Sequence, residues 1–289
     1  MSAVVVLRLP LVVDLSAFIG VLRRLRVPHR VSEEGGEQVL WARNEREAED
    51  IRHLYERYAQ GEVDSAALGF EPPAHSRPGW QQQLKASPVT TGILLLCLVV
   101  GALSLLGEHL EPLHWLTFLD FRVQGDLAYF RPWASSMAAG QVWRLVTPMF
   151  IHFGILHLAM NSLWFWELGR RIEWRQGSWA LLGLSLGFSA VSNVIQYLWS
   201  GPSLFGGLSG VLYGLLGHIW LYQWRAPTPL YHMPRGVLVM MLAWLGLCLS
   251  GFVSLLGFGE IANGAHVGGL LVGCATGLLG GTLARRKLG

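Results

Sequence analysis

The chain is 52% hydrophobic, and a few polar side chains interrupt its apolar runs where chemistry could occur. Ser209 lies in Gly207-Leu208-Ser209-Gly210, and His266 follows Ala265 in a remote apolar run. A serine hydroxyl is a weak nucleophile until a base lies within hydrogen-bond reach. Imidazole has the pKa to be that base near neutrality. Together they would perform acyl transfer, whose tetrahedral oxyanion needs hydrogen-bond donors. His157, Asn161 and the Ser209 backbone N–H are the candidate donors. Asn161 follows His157 by four residues, so both share one helix face. Tyr213 follows Ser209 by the same interval, one turn deeper, where its ring could support the His266 imidazole. No Asp or Glu is placed to orient His266, so a dyad is expected rather than a triad.

These residues need elements that bring them together. After Pro88 come apolar segments near 89–107, 150–169, 178–199, 207–224, 235–256 and 264–283. Each is close to the ~20 residues that span a bilayer as a helix. Lys and Arg fall in alternate loops: Arg77 and Lys85; Arg170, Arg171 and Arg175; Arg225 and Arg235; Arg285, Arg286 and Lys287. The positive-inside rule puts those loops, and both termini, in the cytoplasm. The second, fourth and sixth spans then run inward. His152, His157 and Asn161 are expected in the first turns of span two, Ser209 in the first turn of span four and His266 in the first turn of span six. At 1.5 Å per residue, Ser209 and His266 would lie within roughly 5 Å of their helix starts. Three polar clusters thus share one depth near the outer surface, and ionisable groups inside a membrane usually mark function. Gly206, Gly210 and Gly214 form one small-residue stripe, and Ala265, Gly269, Gly273 and Gly277 another, which lets two helices approach closely. The long loop 108–149 carries Trp115, Phe118, Phe121, Tyr129, Phe130, Trp133 and Trp143, a composition suited to the membrane interface.

Residues 1–62 read as a small soluble domain of order β-α-β-β-α, ferredoxin-like in part, and residues 63–87 as a linker rich in Pro and Gly. Residues 88–289 form the membrane domain. A formal net charge of +3 gives no reason to expect a nucleic-acid partner. Cys97, Cys248 and Cys274 each sit in an apolar run and suit neither a metal site nor a disulfide framework. No metal and no organic cofactor is expected.

Gly207-Leu208-Ser209-Gly210 resembles the GxSG motif of the rhomboid family. Ala265-His266 with Gly269 resembles its catalytic-histidine helix, and His152, His157 and Asn161 its HxxxxHxxxN pattern. Trp143-Arg144 resembles the Trp-Arg pair of its first external loop. Residues 1–62 resemble the cytoplasmic domain of bacterial GlpG-type members. The resemblance implies a six-helix bundle of the bacterial inner membrane that hydrolyses peptide bonds in or near transmembrane segments. Ser209 would be nucleophile and His266 base; His157, Asn161 and the Ser209 amide would form the oxyanion hole. Gly207 and Tyr213 would be accessory residues. Substrates would be single-span membrane proteins, admitted past a mobile fifth helix and a cap loop near 257–263.

Bland readings compete residue by residue. GxSG in a Gly-rich helix is commonly packing, His152 and His218 have structural explanations, and Arg144 suits a loop-fixing contact. Two other classes stand beside the protease. A catalytically dead relative would lack the serine or histidine. A transporter would place its polar residues near the midplane and show an internal repeat.

Overall fold

The computed structural model describes residues 4–11, 13–59, 80–125, 127–255 and 260–286. The chain divides into two compact units, Met1–Gln82 and Gln83–Gly289.

In the first unit, β1 (Val4–Pro10), β2 (Arg30–Glu34) and β3 (Glu37–Ala42) form an antiparallel sheet of order β1-β3-β2. Helices α1 (Ser16–Arg24) and α2 (Glu45–Ala59) cover it. Apolar residues of α1 recur at helical spacing, so Phe18 and Leu22 join Val6, Leu40, Ala48 and Ile51 in one core. Asn44 accepts from the Glu47 amide at 2.9 Å and so starts α2. Arg52 ties α2 to the β1 carbonyls of Val5 and Val6 at 3.0 and 3.2 Å.

The second unit is mainly helical. A short helix, α3 (Trp80–Ala86), precedes α4 (Pro88–Leu103) across a 101° bend. Residues 80–86, expected as linker, are therefore helical, while 63–79 lie outside the described residues. A hairpin of β4 (Phe121–Gln124) and β5 (Leu127–Phe130) and the short helix α5 (Trp133–Ala138) occupy the long loop. Then come α6 (Ile155–Gln176), α7 (Ser178–Ser200), α8 (Ser209–Arg225), α9 (Arg235–Leu249), α10 (Phe252–Leu255) and α11 (Asn263–Arg286).

Among the described residues, α7 and α11 are individually long and apolar enough to cross a membrane, and α3 with α4 qualifies as a bent pair. The other expected spans differ for physical reasons. Helix α6 starts at Ile155 rather than near 150, because Gly154 leaves helical geometry at φ +92°. It runs on to Gln176 and takes in Arg170, Arg171 and Arg175, which were expected in a loop. His152 consequently lies ahead of the helix instead of in its first turn. Helices α8 and α9 have 17 and 15 residues. At 1.5 Å per residue they are about 25 and 22 Å long, shorter than a bilayer core. Helix α8 is buried on nearly every side and forms the centre of the unit. The expected fifth segment breaks after Leu249 into α9 and α10.

Two devices fix this arrangement. Glu173 is buried, and its carboxylate accepts from the amides of Val89 (2.8 Å) and Thr90 (2.9 Å) at the start of α4. The same carboxylate accepts from the hydroxyls of Thr90 and Ser178, each at 2.7 Å. One side chain of α6 thereby satisfies donors at two helix N-termini, where negative charge is also favoured by the macrodipole. The second device is the contact of α8 with α11. A Cβ on Gly269 would lie 2.0 Å from the Gly210 carbonyl oxygen, and one on Gly273 2.0 Å from that of Gly214. The main chains of the two helices therefore touch, as the small-residue stripes require.

Candidate active site

Ser209 is the first residue of α8, and His266 lies in the first turn of α11. Contact between the two main chains brings His266 Nε2 to 2.7 Å from Ser209 Oγ. His266 is 6% exposed, and its Nδ1 is buried with no hydrogen-bond partner among the described residues. The imidazole is thus held from elsewhere. Tyr213 stacks against it with ring centroids 5.0 Å apart and planes inclined by 44°. The Tyr213 hydroxyl donates to the Met241 carbonyl at 3.0 Å, which fixes the ring.

The turn before Ser209 is built on the segment preceding α6. The Gly207 amide donates to the Pro148 carbonyl at 3.0 Å. His152 Nδ1 lies 3.2 Å from the Phe150 carbonyl, and its Nε2 lies 3.5 Å from the Leu208 amide. If Nδ1 carries the proton, both contacts are satisfied, so His152 braces the turn. Gly207 has φ +115°, a conformation L side chains resist, and a Cβ there would sit 2.8 Å from the His157 ring. His157 Nδ1 accepts from the Phe153 amide at 3.4 Å, which assigns its proton to Nε2, the edge facing Gly207. Asn161 Nδ2 is buried without a hydrogen-bond partner among the described residues and also faces Gly207. Two side-chain N–H groups therefore converge on the turn that carries Ser209. The N-terminus of α8, with its partial positive charge, begins there too.

All six residues singled out in the sequence meet in this region: Ser209, His266, Tyr213, Gly207, His157 and Asn161. His218 lies elsewhere, with Nε2 2.7 Å from Gln176 and Nδ1 3.1 Å from Thr276. Arg144 is fully buried beneath the long loop. It donates to the carbonyls of His114 (2.6 Å) and Thr117 (2.9 Å) and pairs with Asp120 at 3.5 Å. Burial draws its pKa below the usual guanidinium range, and Asp120 opposes that shift. These contacts fix the loop. The three cysteines are free.

Sequence reasoning missed Gln196, whose Oε1 accepts from the Ala265 amide at 3.0 Å and braces the helix start beside His266. A signal was present. Ser189, Ser192, Asn193 and Gln196 recur at helical spacing and are all buried in α7.

The Rhomboid domain family matches residues 139–282, and the Rhomboid N-terminal domain family matches residues 1–68. The chain is 34% identical over 268 residues to the Rhomboid protease GlpG of Serratia proteamaculans, covering 89% of each protein. It is 36% identical over 189 residues to the Rhomboid protease GlpG of Yersinia pestis, covering 65% of this chain and 61% of that protein. A GxSG serine against an apolar-helix histidine, with this likeness along most of the sequence, identifies a member of the rhomboid family of intramembrane serine proteases.

Proposed function

We propose that peptide hydrolysis in this membrane protease proceeds through Ser209 and His266. The observation that carries the assignment is the 2.7 Å separation of Ser209 Oγ and His266 Nε2. His266 takes the Ser209 proton as Oγ attacks the scissile carbonyl. The tetrahedral oxyanion is held by His157 Nε2, Asn161 Nδ2 and the Ser209 amide. Asn161 Nδ2, buried without a partner among the described residues, supports this role, since such a donor is costly to maintain unless a ligand oxygen satisfies it in turnover. His266 then protonates the leaving amine, and the acyl-enzyme forms. Water, deprotonated by His266, completes hydrolysis. Tyr213 keeps the imidazole in plane for both transfers, and Gly207 leaves room for the oxyanion donors.

The architecture proposed around this site is six spans, corresponding to α4, α6, α7, α8, α9 and α11, in the bacterial inner membrane. Both termini are cytoplasmic, a reading supported by the arginines at the ends of α6, α8 and α11 and at the start of α9. Residues 1–62 form a ferredoxin-like cytoplasmic domain, 63–87 connect it, and 88–289 form the protease. Substrates are single-span membrane proteins whose helices unwind at the outer end, at the depth of Ser209.

A fluorophosphonate probe tests the nucleophile. The protein should label covalently, and Ser209→Ala should not. Equal labelling of the two would end the assignment.

A further inference from the structure

Away from Ser209, three helices each carry arginine in their last turn. Arg175 is in the last turn of α6, Arg225 ends α8, and Arg285 and Arg286 end α11. The Arg175 guanidinium lies 6.0 Å from the Tyr222 ring centroid. Tyr222 and Arg225, one turn apart, both pack on α11. A Cβ on Gly281 would be 3.2 Å from Tyr222 Cα and 2.8 Å from Arg225 Cβ. Arg225 Nε donates to Thr282 Oγ1 at 3.3 Å. Arg286 stands one turn beyond Thr282, on the flank of α11 that Arg225 reaches.

None of these four arginines pairs with a carboxylate among the described residues. Neighbouring Arg170 and Arg171 differ, since both pair with Glu167. Helix C-termini favour cations, but each offers only about half a negative charge. Four full charges on three helix ends therefore leave uncompensated positive potential.

The adjoining surface is apolar. Leu279, Leu283 and Arg286 stand at i, i+4 and i+7 on one face of α11, and the two leucines are 63% and 49% exposed. Trp224 is 68% exposed, and Arg225 lies 5.5 Å from its ring centroid. Guanidinium groups above an exposed leucine face match the order of groups in a phospholipid, phosphate first and hydrocarbon beneath. Arginine is suited to phosphate because its planar fork can bond two oxygens at once.

We propose that Arg225 and Arg286 bind the phosphate of an anionic glycerophospholipid in the cytoplasmic leaflet, with an acyl chain along Leu279 and Leu283. The inference rests on the membrane-spanning reading and its arginine-side-inward orientation. It assigns a lipid-specific site to the face opposite the proposed catalytic depth.

Native mass spectrometry of the full-length protein in detergent tests it, by titration with phosphatidylglycerol and with phosphatidylcholine of the same acyl chains. Phosphatidylglycerol should be retained more tightly, by about fivefold for each arginine engaged. The preference should fall in Arg225→Gln and in Arg286→Gln. Arg286 lies at an exposed helix end, where folding is not at stake. Excess glycerol 3-phosphate should leave the lipid bound. Equal retention of the two lipids by the unaltered protein would overturn the proposal. An unchanged preference in both variants would do the same, as would displacement by glycerol 3-phosphate, which would make the site one for soluble phosphate. Fluorophosphonate labelling of the same samples keeps the two readings apart. Lost lipid preference with Ser209 still labelled counts against the lipid site alone. Retained preference without labelling counts against the nucleophile alone.

Discussion

Rate should depend unequally on the residues around Ser209. Ser209→Ala and His266→Ala remove the nucleophile and its base, so cleavage of a membrane-protein substrate in detergent should fall to background. Asn161→Ala removes one of three proposed oxyanion donors. Loss of such a donor typically costs about 10²–10³ in rate, so activity should drop but persist in the same assay. Full activity in Ser209→Ala would refute the mechanism, and background activity in Asn161→Ala would show that the remaining donors do not suffice. Much at this scale was legible. Ser209, His266, His157, Asn161 and Tyr213 are polar groups within apolar runs, where each needs a reason to be present. Two things escaped. His152 was expected on a helix but braces a turn, because the break at Gly154 depends on a backbone angle that hydropathy does not encode. Gln196 was overlooked because its role is to hold a main-chain amide across two helices, and long-range pairing leaves no local pattern.

Among the elements, Glu173 and the glycine stripes set the frame. Glu173→Ala would leave the Val89 and Thr90 amides and two hydroxyls without their acceptor. Each unsatisfied buried group costs about 1–3 kcal/mol, so the variant should lose at least about 2 kcal/mol of stability, read by denaturation in detergent. It lies far from Ser209 in sequence and role, so residual folded protein should still label with fluorophosphonate. Gly273→Leu attacks the other device. Its side chain would have to pass through the Gly214 carbonyl, so α8 and α11 would separate and both labelling and folding should fail. A variant that stayed folded and active would contradict the main-chain contact. The stripes were readable from spacing alone. Helix ends were less so: α6 is longer than its apolar run because Arg170 and Arg171 find Glu167 as a partner along the same helix. The role of Glu173 had no local signal, because its partners Val89 and Thr90 are remote along the chain.

At the scale of the whole molecule, the proposed catalytic residues all fall in the second compact unit. The first unit has its own core and holds none of the proposed catalytic residues. Removal of residues 1–62 should therefore leave a membrane protease whose cleavage rate in detergent stays within a few-fold of the intact chain. Complete loss in a folded truncation would show that the first unit participates. The division was visible in composition, since arginine and glutamate crowd the first part while the rest is apolar. Spans were harder to count by hydropathy. Helix α8 is shorter than a bilayer core, and neighbouring protein, rather than lipid, surrounds it.

Because α8 and α11 meet carbonyl against glycine, the spacing of hydroxyl and imidazole is set by backbone and not by adjustable side chains. Such a seam has no slack to open. Helix α9 is held by side chains instead: Met241 and Leu245 enter the core, the Tyr213 hydroxyl bonds the Met241 carbonyl, and Asn263 bonds the Cys248 carbonyl. Any breathing that lets a peptide reach Ser209 should accordingly fall on α9. In deuterium exchange, the amides of α9 should then label early, while those lining the glycine seam should be the last in the second unit to do so.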